Sequence, residues 1–180
     1  RNLATTHLLD RLAKAFGEKA IETPVGFKWI AAGMLENKAL LGGESSGGLT
    51  IRGHILGKDG IFASALIIEM IAKTGKHISE LQEAVWKITG RLYTVEDNLA
   101  ATADMRIIVP QRVKALIASG QAPYPVIKVR DDDGTKLYFE GDGWVLLRFS
   151  GTEPVLRIFS EAETPEKARE LVEWLKQCAR

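Results

Sequence analysis

The sequence predicts an α/β domain with a mixed sheet and helices, followed by an α+β domain in which helices flank an antiparallel sheet. Helical patterns dominate before Gly90, whereas several short strand-like segments separated by turn-forming residues follow it. The 180 residues are enough for two small domains. We therefore divide the chain into 1–89 and 90–180. Because the sequence opens on Arg1 rather than methionine, we expect that a segment upstream of it has been removed.

Three amphipathic segments predict helices in the first domain: TTHLLDRLAKAFG, the stretch after the turn in ETPVG, and SELQEAVWKITG. In the last of these, Ser79 and Gln82 have the spacing of a capping box. ALLGGESSGG predicts a short buried strand that leads into a glycine loop. The segment from Ile61 to Ala72 is apolar on nearly every face, which predicts a helix buried in a core.

The second domain begins with a possible strand in RLYTVEDNL and a helix in PQRVKALIASG, with Pro110 at its start and Gly120 at its end. Strand patterns follow in YPVIKVR, TKLYFEG, WVLLRFS and VLRIFSEA, with turn-forming residues between them. In the closing segment TPEKARELVEWLKQCA, Thr164 can cap a helix and Pro165 suits its first position. The buried stripe of this helix would comprise Ala168, Leu171, Val172 and Leu175.

Composition and charge restrict the possible functions. With 46% hydrophobic and 26% charged residues and a formal net charge of +1, the chain has no strong field for a polyanion. Nucleic acid is therefore not an expected partner, and the absence of a long apolar run argues against a membrane. The single cysteine, Cys178, excludes an internal disulfide and fits a cytoplasmic protein.

The stretch GGESSGG, residues 42–48, combines hydrogen-bonding side chains with a flexible backbone. Glu44 accepts hydrogen bonds, and Ser46 both donates and accepts them. This mixture suits sugar hydroxyls better than phosphate. The alternative is a glycine-rich connector in which Glu44 is solvated.

A second loop, LRFSGTEPVLR at residues 147–157, suits a phosphate group. Gly151 permits a tight bend, at which successive backbone N–H groups can converge on an anion. Ser150 and Thr152 add hydroxyl groups, and Arg148 adds a planar cation that matches phosphate oxygens. The alternative is an ordinary hairpin turn with two solvated arginines.

Motifs for other chemistries are weak. GHILGKD lacks the spacing of a nucleotide-binding P-loop, and it has Asp59 where a serine or threonine would bind magnesium. DDDG, residues 131–134, reads as a hairpin turn with solvated aspartates, and no Cys/His cluster suggests zinc. A glycosidase based on Glu44 would need a second carboxylate about 5–9.5 Å away, and the sequence indicates none.

TPVGFK, GGESSGG, KDG and RFSGTEPVLR together resemble the α-D-phosphohexomutases, the phosphoglucomutase/phosphomannomutase family, in order and spacing. The resemblance covers essentially the whole chain and implies the third domain, or most of it, followed by the fourth domain of a four-domain enzyme. Such enzymes interconvert hexose 1-phosphate and hexose 6-phosphate through a phosphoserine and a 1,6-bisphosphate intermediate.

The resemblance also implies site residues. Val25, Gly26, Glu44 and Ser46 would bind the sugar. The phosphate would be bound by Arg148, Ser150, Gly151 and Thr152. Lys58 matches a lysine close to the reacting groups, so a catalytic role for it is possible.

The family's phosphoserine and its magnesium loop are absent from this sequence, which implies a fragment without turnover of its own. Magnesium and glucose 1,6-bisphosphate would serve the full-length enzyme, with no cofactor or metal bound by this fragment. Its expected partners are a hexose phosphate and the missing N-terminal domains. Gly48, where many bacterial relatives carry histidine, and the surrounding residues favour glucose. Phosphomannomutase specificity and a non-catalytic sugar-phosphate-binding module remain alternatives.

Overall fold

A computed structural model of the protein describes residues 1–179. The chain forms two units, the first from Arg1 to Arg91 and the second from Leu92 onward. The first combines helices with short strands and the second packs helices on an antiparallel sheet, so the predicted fold class is confirmed. None of the helices in residues 1–179 is both long and apolar enough to cross a membrane.

The first unit consists mainly of helices around one short hairpin. Strands β1 and β2 pair antiparallel, and a single parallel bridge joins Asn2 to Thr23. This bridge fixes the N-terminal segment beside the stretch that leads into the second helix. The elements in chain order are α1 (Leu8–Ala15), α2 (Phe27–Asn37), β1 (Leu41–Gly43), β2 (Leu49–Ile51), α3 (Gly60–Thr74) and α4 (Ile78–Thr89).

Helix α3 forms where the apolar run predicted it, but the prediction that it is buried in a core is wrong. None of its described residues is buried within this chain, and Ile61 is 87% exposed. Leu41 in β1 is also exposed, so the predicted buried strand is buried only at Gly42. An apolar sequence makes burial favourable, but burial also requires another surface to pack on it.

The start of α4 also differs from the prediction. The helix begins at Ile78, so Ser79 is inside its first turn and is not the N-cap. The carboxylate of Glu80 instead accepts a hydrogen bond of 2.8 Å from the backbone N–H of His77. The acidic side chain in the first turn thus satisfies a backbone donor at the helix start.

The second unit is a five-stranded antiparallel sheet in the order β3-β7-β6-β5-β4, with two helices. All four strands of the predicted meander form, and the strand predicted in RLYTVEDNL pairs with the last of them. The elements are β3 (Tyr93–Ala100), α5 (Met105–Ala118), β4 (Val126–Arg130), β5 (Thr135–Phe139), a 3₁₀ turn (Glu140–Asp142), β6 (Trp144–Phe149), β7 (Val155–Ala162) and α6 (Pro165–Cys178).

The main core lies between this sheet and the helices α5 and α6. The hydroxyl of Thr164 accepts a hydrogen bond of 3.2 Å from the backbone N–H of Lys167, and Pro165 occupies the first helical turn, as predicted. The predicted stripe on α6 is confirmed, because Ala168, Leu171, Val172 and Leu175 are all buried.

Helix α5 begins five residues earlier than predicted, so Pro110 lies inside it. Proline removes one helical hydrogen bond. Val109 and Val113 are fully buried, and Met105 packs against the same core at the same four-residue spacing. Burial of this apolar stripe offsets the missing bond, which sequence propensity alone would not reveal.

Strands β6 and β7 position the loop predicted to bind phosphate. Phe149 pairs with Leu156 at the end of the ladder, and the loop 150–154 connects the two strands. In the next pair away from the loop, Arg148 lies directly opposite Arg157, so both side chains project from the same face of the sheet. The DDDG turn connects β4 to β5, as predicted.

Candidate functional site

Glu44 follows β1 directly and is buried, with its side chain 4% exposed. Its Oε1 accepts hydrogen bonds from the side-chain amide of Asn2 at 3.0 Å and from the backbone N–H of Gly26 at 2.9 Å. Its Oε2 lies 2.9 Å from Nζ of Lys58. Glu44 is therefore not the solvated residue of a loose connector. Three of the roughly four acceptor positions of its carboxylate are already occupied.

These contacts determine the charge of Glu44. Burial is the largest single influence and opposes ionisation, but the hydrogen bonds from Lys58, Asn2 and Gly26 outweigh it. Together they hold the pKa of Glu44 below its ordinary value. The carboxylate is therefore a fixed negative charge at neutral pH.

Gly48 leaves the space through which Lys58 reaches Glu44. A β-carbon at position 48 would lie 2.9 Å from both Cδ and Cε of Lys58, closer than real side chains approach. The stem of the lysine thus passes directly over the backbone of this glycine. The structure thus gives Gly48 a physical role beside Lys58.

The other predicted sugar-binding residues lie around this cluster. Gly26 donates its N–H to Glu44, and Val25, the preceding residue, is half-buried. Ser46 is exposed in the turn that the hydrogen bond from Gly47 N–H to the carbonyl of Glu44 closes at 3.0 Å. The first unit therefore brings Gly26, Glu44 and Lys58 into direct contact and leaves the hydroxyl of Ser46 accessible.

In the second unit, Arg148 is paired with an acid from the neighbouring turn. Its Nε donates a hydrogen bond of 2.9 Å to Oδ1 of Asp133, and its side chain is 22% exposed. The expectation that all the aspartates of DDDG are solvated is therefore wrong for Asp133. Asp131 pairs instead with Lys114 on the surface.

Ser150 organises the loop after β6. Its hydroxyl oxygen accepts hydrogen bonds from the backbone N–H groups of Thr152 and Glu153, each at the long distance of 3.3 Å. The N–H groups of this loop thus converge, but on the buried side chain of Ser150. Gly151 is exposed and does not have a positive φ, so the bend does not depend on glycine geometry.

Besides Asp133, two further contributors to these sites were not found from the sequence. Arg106 on α5 donates a hydrogen bond of 2.9 Å to the carbonyl of Ser150, and its guanidinium lies 5.1 Å from the ring centre of Phe149. Asn2 supports Glu44 from 42 positions away. No local motif marks either residue, because only the folded chain brings them to these loops.

Comparison with known proteins identifies the family. The model of the phosphoglucomutase/phosphomannomutase α/β/α domain III matches residues 1–89, and the model of the C-terminal domain of the same proteins matches residues 98–176. The chain belongs to the phosphoglucomutase/phosphomannomutase family. The phosphohexomutase resemblance of its motifs is therefore confirmed.

Relatives of known name support this placement. A phosphoglucomutase/phosphomannomutase of Thermococcus kodakarensis is 41% identical over 95% of this chain and 35% of its own length. A phosphoglucosamine mutase of Limosilactobacillus reuteri is 32% identical over 93% of this chain and 33% of its own. The solved structure of the Paramecium phosphoglucomutase parafusin has the same fold, with a TM-score of 0.81 at 20% identity over 99% of this chain and 37% of its own. The chain spans about a third of these relatives.

The resemblance to the phosphohexomutases implies a magnesium ion in the full-length enzyme. Magnesium prefers carboxylate oxygens in octahedral geometry. Within residues 1–179, no group of three or more His, Cys, Asp or Glu side chains is arranged to hold a metal ion. The acids of the DDDG turn instead pair with cations such as Lys114 and Arg148. Residues 1–179 therefore do not form a magnesium site.

Proposed function

We propose that this chain is the substrate-binding part of a phosphohexomutase that interconverts hexose 1-phosphate and hexose 6-phosphate, with glucose as the preferred sugar. Family membership supports the reaction class. The chemistry of the two loops supports separate binding roles. The loop after β6, residues 150–154, binds the phosphate and is called the phosphate loop. The loop after β1, residues 44–48, binds the sugar and is called the sugar loop. The glucose preference rests on the resemblance of the sequence around Gly48 and Lys58 to the glucose branch of the family.

The observation that carries the proposal is the cationic environment of the loop after β6. Arg148 and Arg106 both reach this loop, and the backbone N–H groups of Thr152 and Glu153 make only long bonds to Ser150. In the described chain, Arg148 uses only Nε for a hydrogen bond, so its terminal nitrogens are available to phosphate oxygens. Charge-assisted bonds of this kind are each worth about 1.5–3 kcal/mol.

The loop after β1 offers complementary chemistry for the sugar. Ser46 presents an accessible hydroxyl, and Glu44 is held ionised with one acceptor position left on its carboxylate. The backbone at Val25 and Gly26 lies against the same carboxylate. We expect Glu44 and Ser46 to bind adjacent ring hydroxyls, with Val25 and Gly26 contacting the sugar beside them.

In the full-length protein, a phosphoserine and Mg²⁺ outside the described chain would supply the phosphoryl group and neutralise its charge. The residues of this chain hold the substrate. The phosphate loop binds the phosphate that is not reacting, and the sugar loop orients the ring so that either end can face the reacting groups. Binding of remote groups in this way lowers the entropic barrier to transfer. The side chain of Lys58 is 52% exposed, which leaves it available for a catalytic role.

The phosphate role can be tested by titrating the ¹⁵N-labelled full-length protein with glucose 6-phosphate and following the amide and arginine Nε–Hε signals of this chain. We expect saturable shifts at residues 148–153. Arg148→Ala should weaken binding by roughly tenfold or more, as expected for a lost charge-assisted bond. Arg169→Ala, which removes an exposed arginine from α6, is the matched control and should leave the affinity unchanged. Equal affinity in Arg148→Ala and the wild type would contradict the phosphate site.

A non-catalytic sugar-phosphate-binding module is the second candidate, motivated by the absence of the family's phosphoserine motif from this sequence. Assay of the full-length protein with glucose 1-phosphate and mannose 1-phosphate separates the possibilities. Formation of glucose 6-phosphate faster than mannose 6-phosphate supports the glucose mutase. The reverse order indicates phosphomannomutase specificity, and binding without conversion indicates the module.

A further inference from the structure

We propose that Asp133 is a positioning residue that orients the guanidinium of Arg148 toward a bound phosphate group. This inference rests on the proposed phosphate site and adds to it a residue from a different turn. Asp133 lies in the connection between β4 and β5, whereas the phosphate loop follows β6. The motif that suggested phosphate binding does not include it.

The contact between these residues has the geometry of an orienting bond. Asp133 Oδ1 accepts from Nε of Arg148 at 2.9 Å, and both side chains are 22% exposed. A bond at Nε restricts rotation of the planar guanidinium and leaves its terminal nitrogens free to bind a second, bidentate partner. Within residues 1–179, these terminal nitrogens have no hydrogen-bond partner.

The backbone holds Asp133 in place. The following residue, Gly134, has a φ of +91°, and a β-carbon there would lie 2.4 Å from the carbonyl oxygen of Leu147 and 3.2 Å from Cα of Arg148. Only glycine fits so close to β6. The turn therefore packs on the strand that carries Arg148, and this packing fixes the distance between the two side chains.

The change in phosphate affinity on removal of Asp133 has opposite directions for an orienting acid and for an acid that is merely nearby. A carboxylate beside an anion site repels the anion, so removing an acid that serves no other purpose would strengthen phosphate binding. Removing an acid that orients the arginine should weaken binding, because the arginine must then be ordered by the ligand itself. The direction of the change in affinity thus separates a positioning role from simple proximity.

The experiment compares Asp133→Ala, Asp133→Asn and Asp131→Ala with the wild type in the full-length protein, titrated with inorganic phosphate and with glucose 6-phosphate. Asp133→Ala should weaken binding of both by about two- to tenfold, the cost of ordering one long side chain. Asp133→Asn keeps an oxygen that can accept from Nε and should recover part of the loss. Asp131→Ala removes the same charge from the same turn without touching Arg148, and its affinity should stay equal or rise.

A second measurement does not depend on the ligand. In the wild type, ¹⁵N relaxation of the Arg148 Nε–Hε group should report an ordered side chain, which becomes mobile in Asp133→Ala while the amide spectrum of the sheet is unchanged. An affinity that is unchanged or higher in Asp133→Ala, or equal mobility of Arg148 in both proteins, would overturn the inference. Failure of the wild type to bind either ligand at 148–153 would instead reject the phosphate site itself, and the positioning role with it.

Discussion

The ammonium of Lys58 lies 2.9 Å from Oε2 of Glu44, and the stem of the lysine crosses Gly48 to reach it. A hairpin loop and the segment before α3 are thus joined through one buried carboxylate. The pair links the two features of the first unit most relevant to its proposed function, the sugar loop and the lysine of the KDG motif.

We expect Lys58→Met to raise the pKa of Glu44, because it removes a donor while burial still opposes ionisation. In the wild type, the folded-state pKa is below the ordinary value. Ionisation of Glu44 therefore stabilises the fold when the pH is above the ordinary pKa of a glutamate. This stabilisation is lost as the pH falls through the folded-state pKa. In Lys58→Met this stabilisation should be smaller, and its loss should be complete at a higher pH. Carboxyl ¹³C titration of Glu44 and acid unfolding curves measure both effects.

The matched control is Lys28→Met, which removes an exposed lysine of the same unit that contacts Trp29 rather than Glu44. It should leave the Glu44 titration unchanged. The same Glu44 pKa in Lys58→Met and the wild type would show that the ion pair does not hold the carboxylate ionised.

Gly48→Val should act on Glu44 indirectly, by displacing the Lys58 stem that passes 2.9 Å from the position of a β-carbon. The pKa of Glu44 should rise as in Lys58→Met, and the double variant should show no further rise because both changes break one interaction. Gly57→Val is the control, since a β-carbon there meets no atom closer than 4.0 Å. Additive shifts in the double variant would mean that Gly48 and Lys58 act separately.

The difference in burial between α3 and α6 predicts that truncating a side chain lowers the free energy of unfolding far more in α6 than in α3. Leu171→Ala should lower the free energy of unfolding by about 2–5 kcal/mol, because it opens a cavity in the main core. Ile61→Ala in this chain should change it by less than about 0.5 kcal/mol, because the side chain is 87% exposed. Urea unfolding followed by amide signals of each unit measures both. A large loss in Ile61→Ala would mean that α3 is covered in solution.

The N-cap of α6 predicts a smaller change in the free energy of unfolding. Thr164→Ala leaves the N–H of Lys167 without its 3.2 Å partner and should lower the free energy of unfolding of the second unit by about 1 kcal/mol. Thr164→Ser retains a hydroxyl and should remain within a few tenths of the wild type. Equal losses in both variants would assign the effect to the threonine methyl group instead of the cap.

The second unit was largely predictable from the sequence. Its strands alternate or are rich in β-branched and aromatic residues, and turn-forming residues separate them. Helix α6 carries both its start signal and its buried stripe in the sequence. The exception is α5, whose proline suggested a helix start although tertiary packing carries the helix through it.

The first unit was predictable in element type but not in burial. The apolar run of α3 specifies a helix, yet whether Ile61 is covered depends on surfaces that no local pattern describes. Part of the candidate sites was unpredictable for a related reason. Glu44 and Arg148 lie in recognisable loops, whereas Asn2, Arg106 and Asp133 reach them from distant parts of the sequence.

The opposition of Arg148 and Arg157 across β6 and β7 has a consequence for how the protein is handled. Like charges at directly opposed strand positions repel, and here Asp133 and Glu153 offset the repulsion from outside the ladder. A multivalent anion in the solvent relieves the same repulsion. The second unit should therefore melt at a higher temperature in phosphate or sulfate buffer than in chloride of equal ionic strength.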